Sequence, residues 1–322
     1  MTIDEREVRV LKTLLIIFFL LPILLFSQTK HQRTVAVTID DLPYTGGDAN
    51  LTAATDATEK MLNALVAFKV IASGFVTGKN VLIDGETDAR INLLRQWRDS
   101  GMRLENHSFS HRSFNKLPLA AYLDDAVQGS LFPELVMRET GDSMTFFRHP
   151  FNHTGPDAAA KAAFAEFLAE RRLQLAPFTI EHADYLFNKL YVDAFLRADS
   201  AEMKKIGAAY IVQTDIAFAF GEHLSQETFG REIAQIFLIH TNLINAEYLP
   251  DMLARIQARG YKFVSLSEAM TDSAYAAPEV YVGKFGISWL HRWRVGLEME
   301  NRLRDEPDPP KWAIDRYREL SQ

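Results

Sequence analysis

The residues best suited to chemistry lie in the stretch Glu105–His111, which reads ENHSFSH. His107 and His111 are four positions apart, and on a helical turn this spacing places both imidazoles on one side, where they can bind a single metal ion. The alternative is structural, because such pairs also occur on solvated helix faces and in protein cores. A metal site with two histidines needs its third ligand from elsewhere in the chain.

The acidic pair Asp40–Asp41 is the best source of that ligand. The pair ends an apolar, β-branched run that starts at Thr34 and is followed by Pro43, a pattern typical of a buried strand. Either carboxylate could instead cap the turn that follows. Adjacent strand residues point in opposite directions, so the two carboxylates share a site only if the strand ends between them. We therefore expect one strand end and one helical turn to form the site.

Two further motifs follow along the chain. The full order is Asp40–Asp41 after a strand, His107-x-x-x-His111, Arg148-His-Pro-Phe151 and Leu238-Ile-His240. In this order the motifs resemble those of the polysaccharide deacetylases, also called the NodB-homology domain or carbohydrate esterase family 4. The resemblance extends from about Thr34 to about Met270, and a four-part match in one order makes chance agreement improbable.

The resemblance implies a role for each residue near the ion. Thr38-Ile-Asp-Asp41 resembles the family's Thr-Phe-Asp-Asp motif, in which the first aspartate, here Asp40, is the general base. Asp41 would bind the metal together with His107 and His111. Arg148 would pair with Asp40 and keep it ionised, because an opposite charge lowers the pKa of a carboxylate. A surface ion pair is the alternative for this arginine.

The same resemblance assigns the leaving-group side of the reaction. His240 would be the general acid, with Asp184 holding its tautomer, although Asp184 could equally cap the helix after it. The backbone N–H of Phe151, after Pro150, would be an oxyanion donor, and Tyr185 takes the place of the family's tryptophan. Other departures from the family pattern are Ile39 for Phe, Asn152 for Gly and Glu181 for an Asp.

His149 and His153 flank the arginine motif and could be mistaken for ligands. We expect both to lie behind the ligands or to face the substrate, because three ligands already leave the open position that a catalytic ion needs. Zn²⁺ is the default ion for a His-His-Asp set, with Co²⁺ or Ni²⁺ as alternatives.

The chemistry implied by the resemblance is hydrolysis of N-acetyl groups on a carbohydrate, in chitin-like oligosaccharides or peptidoglycan. A metal-activated water, an Asp base and a His acid would carry it out. Two alternatives stay open. One is an O-acetyl polysaccharide esterase, since the same metal site can serve both reactions. The other is an inactive carbohydrate-binding domain on the same scaffold.

The elements that must position these residues alternate between strands and helices, which is typical of α/β proteins with parallel sheets. About seven strands at this spacing favour a distorted (β/α) barrel, whose active residues cluster at the carboxyl ends of its strands. The segment 187–235 is helical without a convincing strand, and is either an elaborated crossover or a lid over the substrate groove. The predicted division is an N-terminal segment 1–27, a barrel 28–270 and a C-terminal helical extension 271–322.

Composition narrows the remaining choices. Leu14–Phe26 is an unbroken apolar run after Arg9 and Lys12, with the length of a signal-peptide core, so we expect export to the periplasm or the outside; an uncleaved membrane anchor is the alternative. The absence of cysteine excludes thiolate ligands and a cysteine nucleophile. A net charge of −7 argues against nucleic acid as a partner, and we predict a carbohydrate substrate and no stable protein partner.

Overall fold

The computed structural model describes residues 32–46 and 50–322. Within it, Arg33–Gln322 form one compact unit. The predicted export segment lies outside the described residues, so the choice between a signal peptide and an anchor stays a prediction. In the part of the chain that is described, no helix is both long enough and apolar enough to cross a bilayer.

Seven parallel strands form one sheet, as the alternating sequence pattern predicts. They are β1 (Arg33–Leu42), β2 (Ser73–Val76), β3 (Arg103–Asn106), β4 (Phe146–Phe147), β5 (Gln174–Leu175), β6 (Gln235–His240) and β7 (Tyr261–Val264). Their spatial order is β5-β4-β3-β2-β1-β6, and β7 pairs with the first residues of β1. The central strand β1 therefore contacts β2, β6 and β7, and its last residues lie beside the ends of its neighbours.

The chain after β5 brings the two ends of this sheet together. β5 pairs with β4, and five residues later Ile180 forms a parallel bridge to Phe237 of β6. The Leu238 N–H donates to the Ile180 carbonyl at 2.9 Å, and the Thr179 N–H donates to Ile236 at 2.9 Å. These bonds curve the sheet into a distorted (β/α) barrel, as expected from the strand spacing.

Helices cover the outside of the barrel. The described α-helices are α1 (Leu51–Ala67), α2 (Gly78–Val81), α3 (Thr87–Asp99), α4 (Leu119–Gly129), α5 (Leu131–Arg138), α6 (Ala158–Glu170), α7 (Asp184–Leu196), α8 (Ser200–Phe229), α9 (Leu243–Ala258), α10 (Leu266–Ala269), α11 (Trp289–Gly296) and α12 (Lys311–Glu319). The segment 187–235 is helical, as predicted, and consists mostly of α7 and α8. The C-terminal segment also packs on the barrel, because Trp289 and Trp293 are buried in a cluster with residues of β6.

The alternation of side chains along β1 separates structure from function. Val35, Val37 and Ile39 point outward into the large core shared with the surrounding helices. Thr38 and Asp40, which alternate with these residues, are buried on the other side, inside the barrel. The barrel interior therefore receives a polar row that ends at the carboxyl end of β1.

One segment that the sequence predicts as a single helix forms two helices in the structure. We expect a continuous helix from Leu119 to about Glu139, but α4 ends at Gly129 and α5 begins at Leu131. Pro133 in the first turn of α5 has no N–H to continue the hydrogen bonds of α4. Gly129 also lies against the loop that carries the histidine pair, since a Cβ there would be 2.3 Å from the Ser108 carbonyl carbon.

Candidate metal centre and catalytic site

Asp41, His107 and His111 lie together at the carboxyl end of the barrel. Each offers one ligand atom, and these atoms all lie within 4.8 Å of one another. Asp41 Oδ1 is 3.4 Å from His111 Nε2 and 3.8 Å from His107 Nε2. A tetrahedral ion with bonds of about 2.0–2.1 Å separates its ligands by roughly 3.3 Å, so these spacings suit a metal ion.

The surroundings of the cluster orient its ligand atoms. His107 Nδ1 is 2.9 Å from the Arg148 carbonyl, which can only accept, so this nitrogen carries the proton and Nε2 presents its lone pair to the cluster. Thr77 donates to Asp41 Oδ1 at 2.9 Å. Burial lowers the pKa of His107, and His111 lowers it further, to about 3. A neutral imidazole and an oriented carboxylate are the forms that bind a metal, so the residues fit one.

The expected helical turn under the histidine pair is absent. His107 follows β3 directly, and the chain from there to His111 is a loop in which Ser108 and His111 have positive φ angles of 64° and 53°. Turning the backbone twice brings the two rings to a centroid distance of 5.1 Å. The spacing of the pair was informative, but a loop and not a helix produces the contact.

Asp40 and Asp41 both face the site although β1 continues through Leu42. The pairing of β1 with β2 shifts register between Ile39 and Leu42, and Asp41 has a φ of 66°. This irregularity cancels the usual alternation, so consecutive side chains point to the same region. The expectation that the strand must end between the two aspartates is therefore wrong.

Arg148 and Asp40 form a buried ion pair inside the barrel. Arg148 is fully buried, and its Nη1 donates to Asp40 Oδ1 at 3.0 Å and to Thr38 Oγ1 at 2.7 Å. Nη2 donates to the Pro177 carbonyl at 2.7 Å, and the guanidinium lies over the Phe75 ring at 4.4 Å. The alternative of a surface ion pair is excluded by this burial.

The pKa of Asp40 differs from the expectation. Burial raises the pKa of this carboxyl, and Arg148 lowers it by its charge and hydrogen bond without cancelling the rise. Asp40 Oδ2, the oxygen not bound to Arg148, is 3.6 Å from His107 Nε2 and so faces the metal cluster. For Asp41, burial works against ionisation, but His111 and His107 bring its pKa below the ordinary value.

Asp184 and His240 form the second charged pair of the site. His240 Nδ1 is 2.8 Å from Asp184 Oδ1, and the His240 N–H donates to Asp184 Oδ2 at 2.8 Å. Because a carboxylate accepts, Nδ1 carries a proton and Nε2 is the nitrogen left for chemistry. Burial lowers the pKa of His240, but Asp184 and the site aspartates outweigh it and raise the pKa to about 10. Asp184 is not the helix cap, since Ala183 occupies that position.

Asn245 completes this pair, and the sequence motifs do not single it out. Its Nδ2 donates to Asp184 Oδ2 at 2.6 Å and to the His240 carbonyl at 2.8 Å. Tyr210 of α8 donates in turn to Asn245 Oδ1. The signal available in the sequence was a polar residue in the apolar first turn of α9, five positions after His240.

These groups surround one cavity of about 720 Å³. We call Asp40, Asp41, His107, His111 and His240 its floor, and Glu181, Tyr185, Lys189 and Tyr317 its outer wall. Phe151 also lines the cavity, half-exposed, with its ring 4.6 Å from that of His111. Pro150 is buried and begins the short 3₁₀ turn in which Phe151 has a φ of 56°.

His149 does not line the cavity. Its ring is buried between Phe114, Phe147 and Phe164, and Nδ1 is 2.7 Å from the Tyr122 hydroxyl. His153 is 2.8 Å from the Ser113 hydroxyl. Neither histidine is among the described residues that line the cavity.

Arg292 of α11 is a second residue that the motifs miss. It is fully buried, and it donates to the Asn152 carbonyl at 2.6 Å and to Thr154 Oγ1 at 3.2 Å. Close by, a Cβ on Gly286 would lie 1.8 Å from the Phe151 carbonyl oxygen. The C-terminal segment therefore holds the loop that carries Phe151, and the sequence shows this only as a basic, tryptophan-containing stretch.

The fold and the site together define a distorted (β/α) barrel protein with a candidate metal centre at the carboxyl ends of its strands. Residues 27–169, less than half of the chain, match the family model described as polysaccharide deacetylase. The match supports a polysaccharide deacetylase domain of the NodB-homology type in this chain, in agreement with the motif order. The match includes Asp40, Asp41, His107, His111 and Arg148, whereas His240 and Asp184 lie beyond it.

Two solved structures with a TM-score of 0.50 agree on the fold. A CE4 family pseudoenzyme from Bacillus anthracis is 14% identical, with a TM-score of 0.50 over 75% of this chain and 66% of its own. A mutant CE4 pseudoenzyme with restored enzymatic activity is 16% identical, with a TM-score of 0.50 over 75% of this chain and 68% of that one. Peptidoglycan deacetylase PdaC from Bacillus subtilis is 18% identical, with a TM-score of 0.48 over 75% and 92%. A search of curated proteins finds no significant match.

Proposed function

We propose that this chain is a metal-dependent deacetylase that removes N-acetyl groups from amino sugars, in chitin-like oligosaccharides or in the glycan of peptidoglycan. One observation carries the proposal. A three-donor ligand cluster, a buried Asp–Arg pair and a buried Asp–His pair surround a single cavity.

Asp41, His107 and His111 would hold the ion, for which Zn²⁺ is the first choice and Co²⁺ or Ni²⁺ the alternatives. When bound, a divalent ion supplies an acidified water and polarises the acetyl carbonyl. Among the residues that the structure describes, no other group of three His, Asp or Glu side chains lies close enough together to hold an ion.

Asp40 is the proposed general base. Arg148 holds Oδ1 at 3.0 Å and thereby fixes the plane of the carboxylate. Oδ2 then faces the ligand cluster and can take the proton of the attacking water. The raised pKa makes Asp40 a stronger base than an exposed aspartate, which favours proton abstraction near neutral pH.

His240 is the proposed general acid. Asp184 fixes its ring through Nδ1, so Nε2 lies at the cavity and can give a proton to the departing amine. A pKa of about 10 keeps the imidazole protonated at neutral pH, as an acid catalyst requires. The N–H of Phe151 is the proposed donor to the carbonyl oxygen as charge develops on it.

The O-acetyl esterase alternative predicts a different use of His240. An alkoxide leaving group departs with less help than an amine, so ester cleavage depends less on this acid. The binding-domain alternative is an inactive carbohydrate-binding domain on the same scaffold, and two of the similar solved structures are of a CE4 pseudoenzyme and its mutant. Against it is the presence in this chain of the base Asp40, the three ligands, Arg148 and His240 together, since a binding domain has no reason to keep all of them.

Acetate release tests the proposal. Wild-type protein is incubated with N-acetylchito-oligosaccharides, peptidoglycan and acetylated xylan, with and without a chelator, beside an Asp40→Asn control. We expect acetate from an N-acetyl substrate, loss with the chelator and recovery on adding Zn²⁺ or Co²⁺. Faster release from xylan would favour the esterase, and binding without release after metal addition would favour the binder.

Export also remains our proposal. The apolar run near the N-terminus and the polymeric substrates, which lie outside the cytoplasm, support it together. Cell fractionation of the expressed protein, followed by N-terminal sequencing, distinguishes a cleaved signal from an anchor.

A further inference from the structure

Three of the four side chains in the outer wall of the cavity come from two helices that are far apart in sequence. Tyr185 and Lys189 belong to α7, and Tyr317 belongs to α12. The rings of Tyr185 and Tyr317 meet edge to face at 5.9 Å. Lys189 Nζ lies 5.2 Å from the Tyr317 ring centre and donates to Ser321 Oγ at 2.8 Å. These contacts join the two helices beside the cavity and outside the region matched by the family model.

The position of Tyr317 is fixed by the rest of α12. Arg316, one residue earlier, pairs with Asp193 of α7 at 3.0 Å. On the same helix Ala313 is fully buried in the main core. Tyr317 is itself only partly buried and contributes to the cavity lining. The ring is therefore held in place at the cavity and stays partly exposed there.

Glu181 adds a carboxylate to the same wall. Its Oε2 accepts the Ala183 N–H at 2.9 Å. A carboxylate has about four acceptor positions, so this bond leaves capacity for a ligand that donates. Glu181 lies three residues before Asp184, so the subsite it would form adjoins the His240 side of the floor.

An aromatic ring, a carboxylate and an ammonium group around one space match the chemistry of a sugar. The C–H face of a pyranose packs on an aromatic ring, while its hydroxyls donate to carboxylates and accept from ammonium groups. We propose that the outer wall is a binding subsite for a neutral sugar ring that adjoins the N-acetylated one, with Tyr317 as its main contact. This inference rests on the proposed function, because it places the acetylated ring over the floor.

The subsite has a consequence for chain length. A cavity of about 720 Å³ has the size of a site that encloses a small ligand. With one ring on the floor and one against Tyr317, affinity increases from the monosaccharide to the short oligosaccharide. The increase depends on Tyr317.

Affinity for N-acetylchitotriose tests the inference without turnover. Titration calorimetry is carried out with Asp40→Asn as the parent, and with Tyr317→Leu or Tyr317→Phe added. Leu keeps apolar bulk for packing but removes the flat ring, so we expect Kd to rise about tenfold, whereas Phe keeps Kd within twofold. Arg318→Ala, on the exposed side of α12, is the matched control and retains the parent Kd.

Steady-state kinetics of the same Tyr317 changes in the active protein give the second readout. We expect Tyr317→Leu to raise KM for the trisaccharide about tenfold and to leave KM for N-acetylglucosamine within twofold.

Equal Kd values for the parent and Tyr317→Leu proteins, both with a native circular dichroism spectrum, would overturn the subsite. Binding that depends on Tyr317 but gives no acetate would remove the deacetylase function and leave the subsite intact. Acetate release by the wild-type protein, together with a trisaccharide Kd that Tyr317→Leu does not change, would support the deacetylase function and remove the subsite.

Discussion

The floor of the cavity consists of residues at or just after the carboxyl ends of β1, β3 and β6, whereas the outer wall consists of residues from or next to α7 and α12. Floor side chains are held by buried partners, as Asp40 is by Arg148 and His240 by Asp184. Wall side chains are exposed or partly exposed, and Tyr317 contacts Tyr185 and Lys189 across the two helices. The floor is suited to moving protons at fixed positions, and the wall is suited to recognition.

This difference separates the expected effects of substitution. Changes in the floor alter kcat, because its groups act on the reacting atoms. Changes in the wall alter KM, because its groups contact a neighbouring part of the substrate. Each prediction below challenges that division, starting with the largest effect.

Asp40→Asn removes the proposed base while leaving the shape of the floor. We expect kcat for N-acetylchitotriose to fall by about 10²–10⁴-fold, the range found for general base catalysis, with KM little changed. The uncompensated Arg148 also lowers the free energy of unfolding, which urea titration measures. Asp56→Asn, on the exposed face of α1, is the matched control. A loss confined to KM would place Asp40 in recognition and break the division.

Asp184→Asn weakens the support of the proposed acid. Burial alone lowers the pKa of His240, and the Asp184 charge and hydrogen bond raise it, so their loss brings the pKa down from about 10. We expect the basic limb of the kcat profile to move to lower pH and kcat at pH 8 to fall by about 10–100-fold.

The same pair also affects stability, in a defined direction. His240 has a folded pKa above its ordinary value, so the pair stabilises the fold fully below about pH 6.5. This contribution is lost as pH rises through about 10. Asp184→Asn removes this pH dependence of the free energy of unfolding. The control Asp251→Asn, at an exposed position of α9, retains the pH dependence. A basic limb that does not move in Asp184→Asn would contradict the assignment of His240.

Arg292→Met releases the loop that carries Phe151. The Asn152 carbonyl and the Thr154 hydroxyl lose a buried donor, and an unsatisfied buried group costs about 1–3 kcal/mol. We expect the free energy of unfolding to fall by about 2–4 kcal/mol, with a smaller effect on kcat than either floor change. Urea unfolding measures it against Arg304→Met, an exposed control. Unchanged stability would show that the C-terminal segment does not hold this loop.

The sequence indicated the floor well because its residues sit where local pattern determines position. An apolar β-branched run predicts a buried strand, and the carboxyl ends of parallel strands meet at one edge. Asp40, His107 and His240 could therefore be expected to converge. The loop conformation between His107 and His111 could not be predicted, because the positive φ angles at Ser108 and His111 depend on contacts with Gly129 and β3.

The outer wall was beyond sequence reasoning for a different physical reason. Tyr317 is in contact with Tyr185 and Lys189 across more than a hundred residues of chain. The helical pattern predicts that α12 forms, but its packing partner depends on the shapes of both surfaces. The role of Arg292 could not be predicted for the same reason, since a basic residue in a charged segment gives no sign that it will be fully buried.

The account rests on a metal ion held by Asp41, His107 and His111, and elemental analysis of the purified, metal-reconstituted protein tests it most directly. We expect about one Zn²⁺, Co²⁺ or Ni²⁺ per wild-type chain. His111→Ala should lose most of it, and His223→Ala, an exposed histidine of α8, should retain it. A His111→Ala protein that keeps the wild-type metal content, or a wild-type protein that takes up no ion, would contradict the account.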